Sequence, residues 1–215
     1  GGGKVTVFTP DGEVQERLPR DADVFGEPSD VAVDADNLYI LDAGKNGLWR
    51  YSLDGKEAAA VPVNPEVAGR ARGLAVAPDG RLWVASTPAG VVAGIDPQSG
   101  EALRLPITSG GELGQPSDVA VGERGLIYAA DTSNSKLMRM NESGRLERSW
   151  TIPRANSLDG PHLAFDLFGN LYITDPEGGR VEKRDPSGEA LGAWELIMLL
   201  NRSVKAVGLA VGADG

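Results

Sequence analysis

The chain has no cysteine and a single histidine, His162. The first absence excludes disulfides, thiolate metal sites and a cysteine nucleophile. The second excludes the several-histidine shell of a catalytic zinc. Basic residues are in deficit, 21 Lys and Arg against 31 Asp and Glu, and the net charge of −10 repels phosphate backbones and anionic lipid. Long apolar runs are missing too: the longest aliphatic stretch, Leu196 to Leu200, is far short of the roughly 20 residues that cross a bilayer. No glycine-rich phosphate loop, Gly-x-Ser-x-Gly elbow or His-Glu-x-x-His motif occurs.

What is present is a globular composition, 41% hydrophobic and 24% charged, in a length that suits one large all-β domain or two small ones. A repeat organises it. Asp30-Val31-Ala32-Val33, Gly73-Leu74-Ala75-Val76, Asp118-Val119-Ala120-Val121, His162-Leu163-Ala164-Phe165 and Gly208-Leu209-Ala210-Val211 share an aliphatic residue, an alanine, then Val or Phe. Their aliphatic positions are separated by 43, 45, 44 and 46 residues. A second register keeps the same period, in turns that end at Gly12, Gly55, Gly100, Gly144 and Gly188.

Each unit resolves into four short β runs, which for the first complete unit are Asp30 to Val33 (A), Asn37 to Leu41 (B), Leu48 to Tyr51 (C) and Lys56 to Val61 (D). Four antiparallel strands at this period describe the blades of a β-propeller. No window of ten residues carries helical periodicity. The predicted fold is therefore an all-β propeller, a single domain over 1–215. Its blades fall near 27–69, 70–113, 114–157 and 158–203, with strands C and D alone in 1–26 and strand A alone in 204–215. The repeated alanine is expected where inner strands crowd the axis, with Tyr, Trp, Leu and Ile of strands B and C filling the space between blades.

The blade pattern resembles the NHL repeat of the TolB-like and SMP-30-like group of six-bladed propellers. Asp118 to Val121 through Ile127-Tyr128-Ala129-Ala130-Asp131-Thr132-Ser133-Asn134-Ser135-Lys136-Leu137 is the best match. Gly160-Pro161-His162 with Thr174-Asp175-Pro176-Glu177 is similar to NHL segments attached to bacterial membrane proteins of glycosyltransferase type. The second unit, with Ser86 in place of Asp and Val91 in place of Lys or Arg, looks more like virginiamycin-lyase-type propellers. The resemblance implies six blades in the parent ring, against the 4.8 units held by 215 residues at this period. The chain is then expected to be an open arc, with no ladder between Val5 and Leu209.

Candidate site residues follow from the loops that join D to A and B to C on one rim, where a rigid sheet carries variable segments. Asp30, Arg72, Asp118, His162 and Gly208 stand just ahead of the A strands. Asp30, Arg72, Asp118 and His162 are the expected ligand-binding set at the channel mouth, with Ca²⁺ at Asp30 and Asp118 as the metal option. The alternative is that each carboxylate caps its own turn beside Ser29 or Ser117. Asp131 with Lys136, and Asp175 with Arg180, read as structural pairs across the B to C loop. Lactonases of the SMP-30 type place a Glu, an Asn and an Asp on their metal, and the position of that Asn is Arg72 here.

These features point to a non-catalytic scaffold that binds a protein, peptide or glycan on its loop rim, outside the cytoplasm or attached to a membrane within a larger protein. A sugar-lactone or ester hydrolase or a lyase is the alternative. RNA binding through Lys45, Arg70, Arg72, Lys136 and Arg180 is a third reading that the net charge opposes.

Overall fold

The computed structural model describes residues 3–18, 25–53, 58–105, 113–155, 159–196 and 205–212. A hairpin of β1 (Val5–Phe8) and β2 (Val14–Leu18) comes first. Four antiparallel sheets of four strands follow in chain order. Blade one holds β3 (Pro28–Val33), β4 (Asn37–Asp42), β5 (Gly47–Ser52) and β6 (Ala58–Val61), and a one-turn helix, α1 (Pro65–Ala68), leads out of it. Blade two holds β7 (Gly73–Val76), β8 (Leu82–Ser86), β9 (Val91–Ile95) and β10 (Ala102–Arg104). Blade three holds β11 (Pro116–Val121), β12 (Ile127–Asp131), β13 (Lys136–Met140) and β14 (Leu146–Thr151). Blade four holds β15 (Leu163–Phe165), β16 (Leu171–Asp175), β17 (Arg180–Arg184) and β18 (Ala190–Glu195). The fold is an all-β propeller with four complete blades among the described residues, whose neighbouring inner strands β3, β7, β11 and β15 pack on one another.

Register explains the repeated alanine. Ala32, Ala75, Ala120 and Ala164 stand directly across the ladder from Tyr39, Trp83, Tyr128 and Tyr172. A small residue beside a large ring lets both lie on one face under the next blade. Tyr39, Leu41 and Leu48 of blade one pack on Leu74, Leu82 and Val84 of blade two. Trp83, Ala85 and Val92 of blade two meet Val119, Ile127 and Met140 of blade three. Tyr128 and Leu137 of blade three meet Leu163, Leu171 and Ile173 of blade four. The hairpin seals blade one, with Leu18 and Phe25 against Leu38 and Ile40.

Three sequence expectations differ from the structure or fall outside it. The strand A expected at 207–211 does not form: residues 205–212 carry no strand, and β1 pairs with β2 alone among the described residues. A strand exists only as a partner in a ladder, and this segment joins none among the described residues. Instead Lys205 fastens it to blade four, its Nζ lying 2.6 Å from Asp159 Oδ2. Strand D of blade one begins at Ala58, and the turn at Asp54-Gly55 lies outside the described residues. The helix α1 was not expected, yet its signal is local: Asn64 caps it by accepting the Glu66 N–H at 2.8 Å, and Pro65 opens it.

Candidate functional site at the channel mouth

Asp42, Asp131 and Asp175 close the B strands of three blades and are buried. Asp42 accepts N–H groups from Gly26 and Glu27 on the incoming D to A loop, and from Gly44 and Lys45 on its own B to C loop, at 2.7–3.1 Å. Asp131 likewise accepts the Gly114 and Gln115 N–H groups on one side and the Ser133 hydroxyl and Asn134 side-chain amide on the other, at 2.7–3.1 Å. One carboxylate thus ties two rim loops together, and these bonds hold Asp131 below the usual carboxylate range although burial alone would raise it.

The two charge pairs expected on this rim behave differently. Arg180 Nε lies 3.0 Å from Asp175 Oδ2. Lys136 stands across the ladder from Asp131 but is exposed and makes no ion pair among the described residues. The Asp131 oxygens are already taken by nearer, better directed N–H groups.

Asp30, Asp118 and His162 converge on a cavity of about 400 Å³ that is also lined by Lys4, Val5, Leu74 and Val207 to Leu209. Arg72 does not line it, although its charge reaches His162. Neither Asp caps a local turn alone. Asp30 Oδ1 accepts the Val31 N–H at 2.8 Å, while Oδ2 reaches into the next blade for the Leu74 N–H at 2.7 Å. Asp118 repeats this one blade pair on, with Val119 at 2.8 Å and Leu163 at 2.7 Å. The preceding serines work in parallel: Ser29 Oγ donates to Ala71 O and Ser117 Oγ to Pro161 O, again across the blade junction. Each Ser-Asp dipeptide is a two-point clip between neighbouring inner strands.

His162 is held by Thr174, whose Oγ1 accepts the His162 N–H at 2.8 Å, and its Nδ1 lies 3.6 Å from Asp118 Oδ2. Burial opposes the imidazolium, but the Asp118 and Asp30 carboxylates outweigh it and raise the His162 pKa. Burial, reinforced by the charge of Asp118, pushes the Asp30 carboxyl up to about 8. The charge of Asp118 thus acts on both groups, raising the Asp30 carboxyl and the His162 imidazole alike.

The expected Ca²⁺ does not suit this donor set. All four oxygens of Asp30 and Asp118 already accept an N–H, and no group of three or more His, Asp or Glu among the described residues forms a metal shell. A Ca²⁺ ion takes roughly six to eight oxygens.

No protein-family model matches the chain, and no curated protein does. Solved structures do resemble it. Virginiamycin B lyase from Staphylococcus aureus superposes with a TM-score of 0.62 at 18% identity, covering 89% of this chain and 62% of that one. A nidogen/laminin complex gives a TM-score of 0.66 at 16% identity, covering 86% and 68%. Hydrazine synthase from Kuenenia stuttgartiensis gives 0.61 at 17% identity, covering 85% and 52%. The chain thus spans under two thirds of the length of the lyase and of the synthase, and at these identities the likeness is one of fold.

Proposed function

We propose that this propeller is a binding module that engages a protein or peptide partner through the rim formed by its D to A and B to C loops. The observation that carries the reading is the rim's construction: buried carboxylates pin its loops in pairs, and the A strands that these loops lead into bring Asp30, Asp118 and His162 to one open polar cavity. A preorganised rim of this kind loses little entropy on binding. The similar nidogen/laminin structure, a complex of two proteins, supports the choice of partner class. In the same reading the module is of NHL type with six blades in the whole ring, and works outside the cytoplasm as part of a larger membrane-attached protein. The Gly160-Pro161-His162 and Thr174-Asp175-Pro176-Glu177 segments support that setting.

Panning a displayed peptide library and a glycan array against the purified chain tests this. Enriched peptides should lose binding when Lys136→Glu or Glu27→Lys alters the rim, and keep it when Asp96→Ala alters a turn of the opposite rim. Enrichment of glycans alone, or binding that only the opposite-rim variant abolishes, overturns it. The 3.6 Å approach of His162 to Asp118 favours a second reading, a lyase or ester hydrolase. Turnover of a sugar lactone that His162→Ala abolishes would establish that reading in place of the first.

A further inference from the structure

We infer that the outer edge of blade four, strand β18, takes an extended peptide of a partner as a fifth strand, one whose uncharged middle is bracketed by two basic residues five positions apart. This surface is separate from the rim and goes beyond the reading above. Among the described residues β18 pairs with β17 alone, so alternate N–H and C=O groups along it point outward with no ladder partner. All six of its residues are exposed. The outer strands of the other blades are blunted: β6 and β10 hold four and three residues, Pro62 follows the first, and β14 carries Glu147 and Arg148. β18 instead runs Ala-Leu-Gly-Ala-Trp before its first charge, at Glu195. Its edge lies farthest from the axis, as that of β14 does, and β14 stays mostly exposed although blade four packs on its sheet. A following blade would leave β18 open in the same way. The Trp194 ring stacks on Tyr172 with centroids 5.8 Å apart, which stiffens the edge before anything binds.

Charge selects the occupant. Glu189, just ahead of β18, and Glu195, at its end, are exposed, and neither makes an ion pair among the described residues. The cations of β17 are engaged elsewhere. Arg180, across the ladder from Glu195, lies 3.0 Å from both Asp175 and Glu182, Lys183 lies 3.0 Å from Asp166, and Arg184 lies 3.2 Å from Glu182. A second copy of β18 laid antiparallel would set Glu189 of one chain against Glu195 of the other, and like charges across a ladder repel. The net charge of −10 opposes self-association as well. A partner strand with a basic residue at each end meets acceptors instead. Its spacing follows from the bulge in β18, where Ala190 stands across from Arg184 and Gly192 across from Lys183, while Glu189 O accepts the Asp185 N–H. Six steps from Glu189 to Glu195 therefore match the five steps from Asp185 to Arg180 on the regular strand β17. A regular partner strand accordingly carries Lys or Arg at its first and sixth positions, with uncharged strand formers between.

The probe is a fluorophore-labelled acetyl-Lys-Val-Thr-Val-Thr-Lys-amide, read by anisotropy at low salt. Its controls are acetyl-Glu-Val-Thr-Val-Thr-Glu-amide and two forms of the basic peptide, one N-methylated at both valines and one at both threonines. The basic probe should saturate, and the acidic one should bind about tenfold more weakly. Strand addition turns only one edge of the peptide to β18, so one N-methylated form should lose binding and the other keep it. The double variant Glu189→Lys with Glu195→Lys should reverse the preference between basic and acidic probes, with an unchanged circular dichroism spectrum showing that the fold persists. In hydrogen exchange, the outward amides of residues 190–195 should exchange fast in the free chain and about tenfold more slowly with the basic probe bound. Slow exchange of every one of these amides in the free chain would mean that the edge is already covered, and overturns the proposal. So does equal binding of the acidic probe, binding that survives both N-methylations, or a dimer of the free chain in sedimentation that the double variant dissociates.

Discussion

Blades one and two are joined differently from blades two and three, although all are built from the same repeat. At the first junction Ser29 and Asp30 reach across to Ala71 and Leu74, and the same pattern recurs between blades three and four through Ser117 and Asp118. At the middle junction the position of the aspartate is Gly73. A β-carbon there would lie 2.4 Å from Asp118 Oδ1 and 2.5 Å from Asp118 Cα. The two inner strands touch directly, and Thr87 adds a bond to Pro116 O at 2.7 Å. Polar clips therefore hold the outer pair of junctions, and close backbone approach holds the middle one. A repeat conserves the spacing of its blades while leaving open how each seam is closed.

Breaking the middle seam should have the largest effect. Gly73→Ala places its methyl group against backbone that cannot yield, and should cost about 3 kcal/mol in urea unfolding, at the upper end of overpacking. Asp118→Ala comes next. Asp118 is 4% exposed, and its loss strands the Leu163 and Val119 N–H groups, for about 2–3 kcal/mol. Asp30→Ala, at a half-buried position, should cost about half as much.

Acidity sharpens the contrast between the two clips. The folded chain keeps a proton on Asp30 that the unfolded chain has lost, from its ordinary pKa of 3.8 up to about 8. The raised pKa of His162 acts in the same direction above 6.5. Stability from these groups is complete below about pH 4 and declines as pH rises toward 8, at up to about 1.4 kcal/mol per pH unit for each group. Asp34, Asp131 and Asp166, whose pKa values are lowered, contribute with the opposite sign and only as pH falls below 3.8. Melting temperatures should thus peak in mild acid, and Asp30→Asn should flatten the fall between pH 5 and 8. A melting temperature that rises over that range would refute the assignment.

Smaller effects separate the serines and the rim pairs. Ser117→Ala should cost about 1 kcal/mol and Ser29→Ala less, since Ser117 is buried and Ser29 partly exposed. Arg180→Ala should cost about 0.5 kcal/mol, and Lys136→Ala should fall within the scatter of a surface substitution.

The repeat made the blades legible because each strand's alternation and each turn's glycine is a side-chain signal at fixed spacing. The convergence of Asp30, Asp118 and His162 was legible for the same reason. The clips were not. Ser29-Asp30 and Ser117-Asp118 are visible as dipeptides, but their partners 42 to 45 residues away are backbone amides and carbonyls, which no residue identity marks. Charge and spacing pair Asp131 with Lys136 in the sequence, whereas backbone N–H groups of a different loop hold it. The channel face of β7 was equally hidden, because a glycine discloses room for a close approach without disclosing what approaches.

The buried carboxylate at the end of a B strand has a consequence for how such a rim diversifies. Because Asp42 grips the backbone N–H groups of Gly26 and Glu27 on one loop and of Gly44 and Lys45 on the other, exchanging either loop alone for one whose backbone takes another path leaves acceptors on Asp42 without their donors. The heritable unit of this surface is therefore a loop pair together with its aspartate. Grafting a new specificity, in the laboratory or in evolution, is expected to succeed when residues 25–27 and 43–46 travel together, and to fail when they are exchanged one at a time.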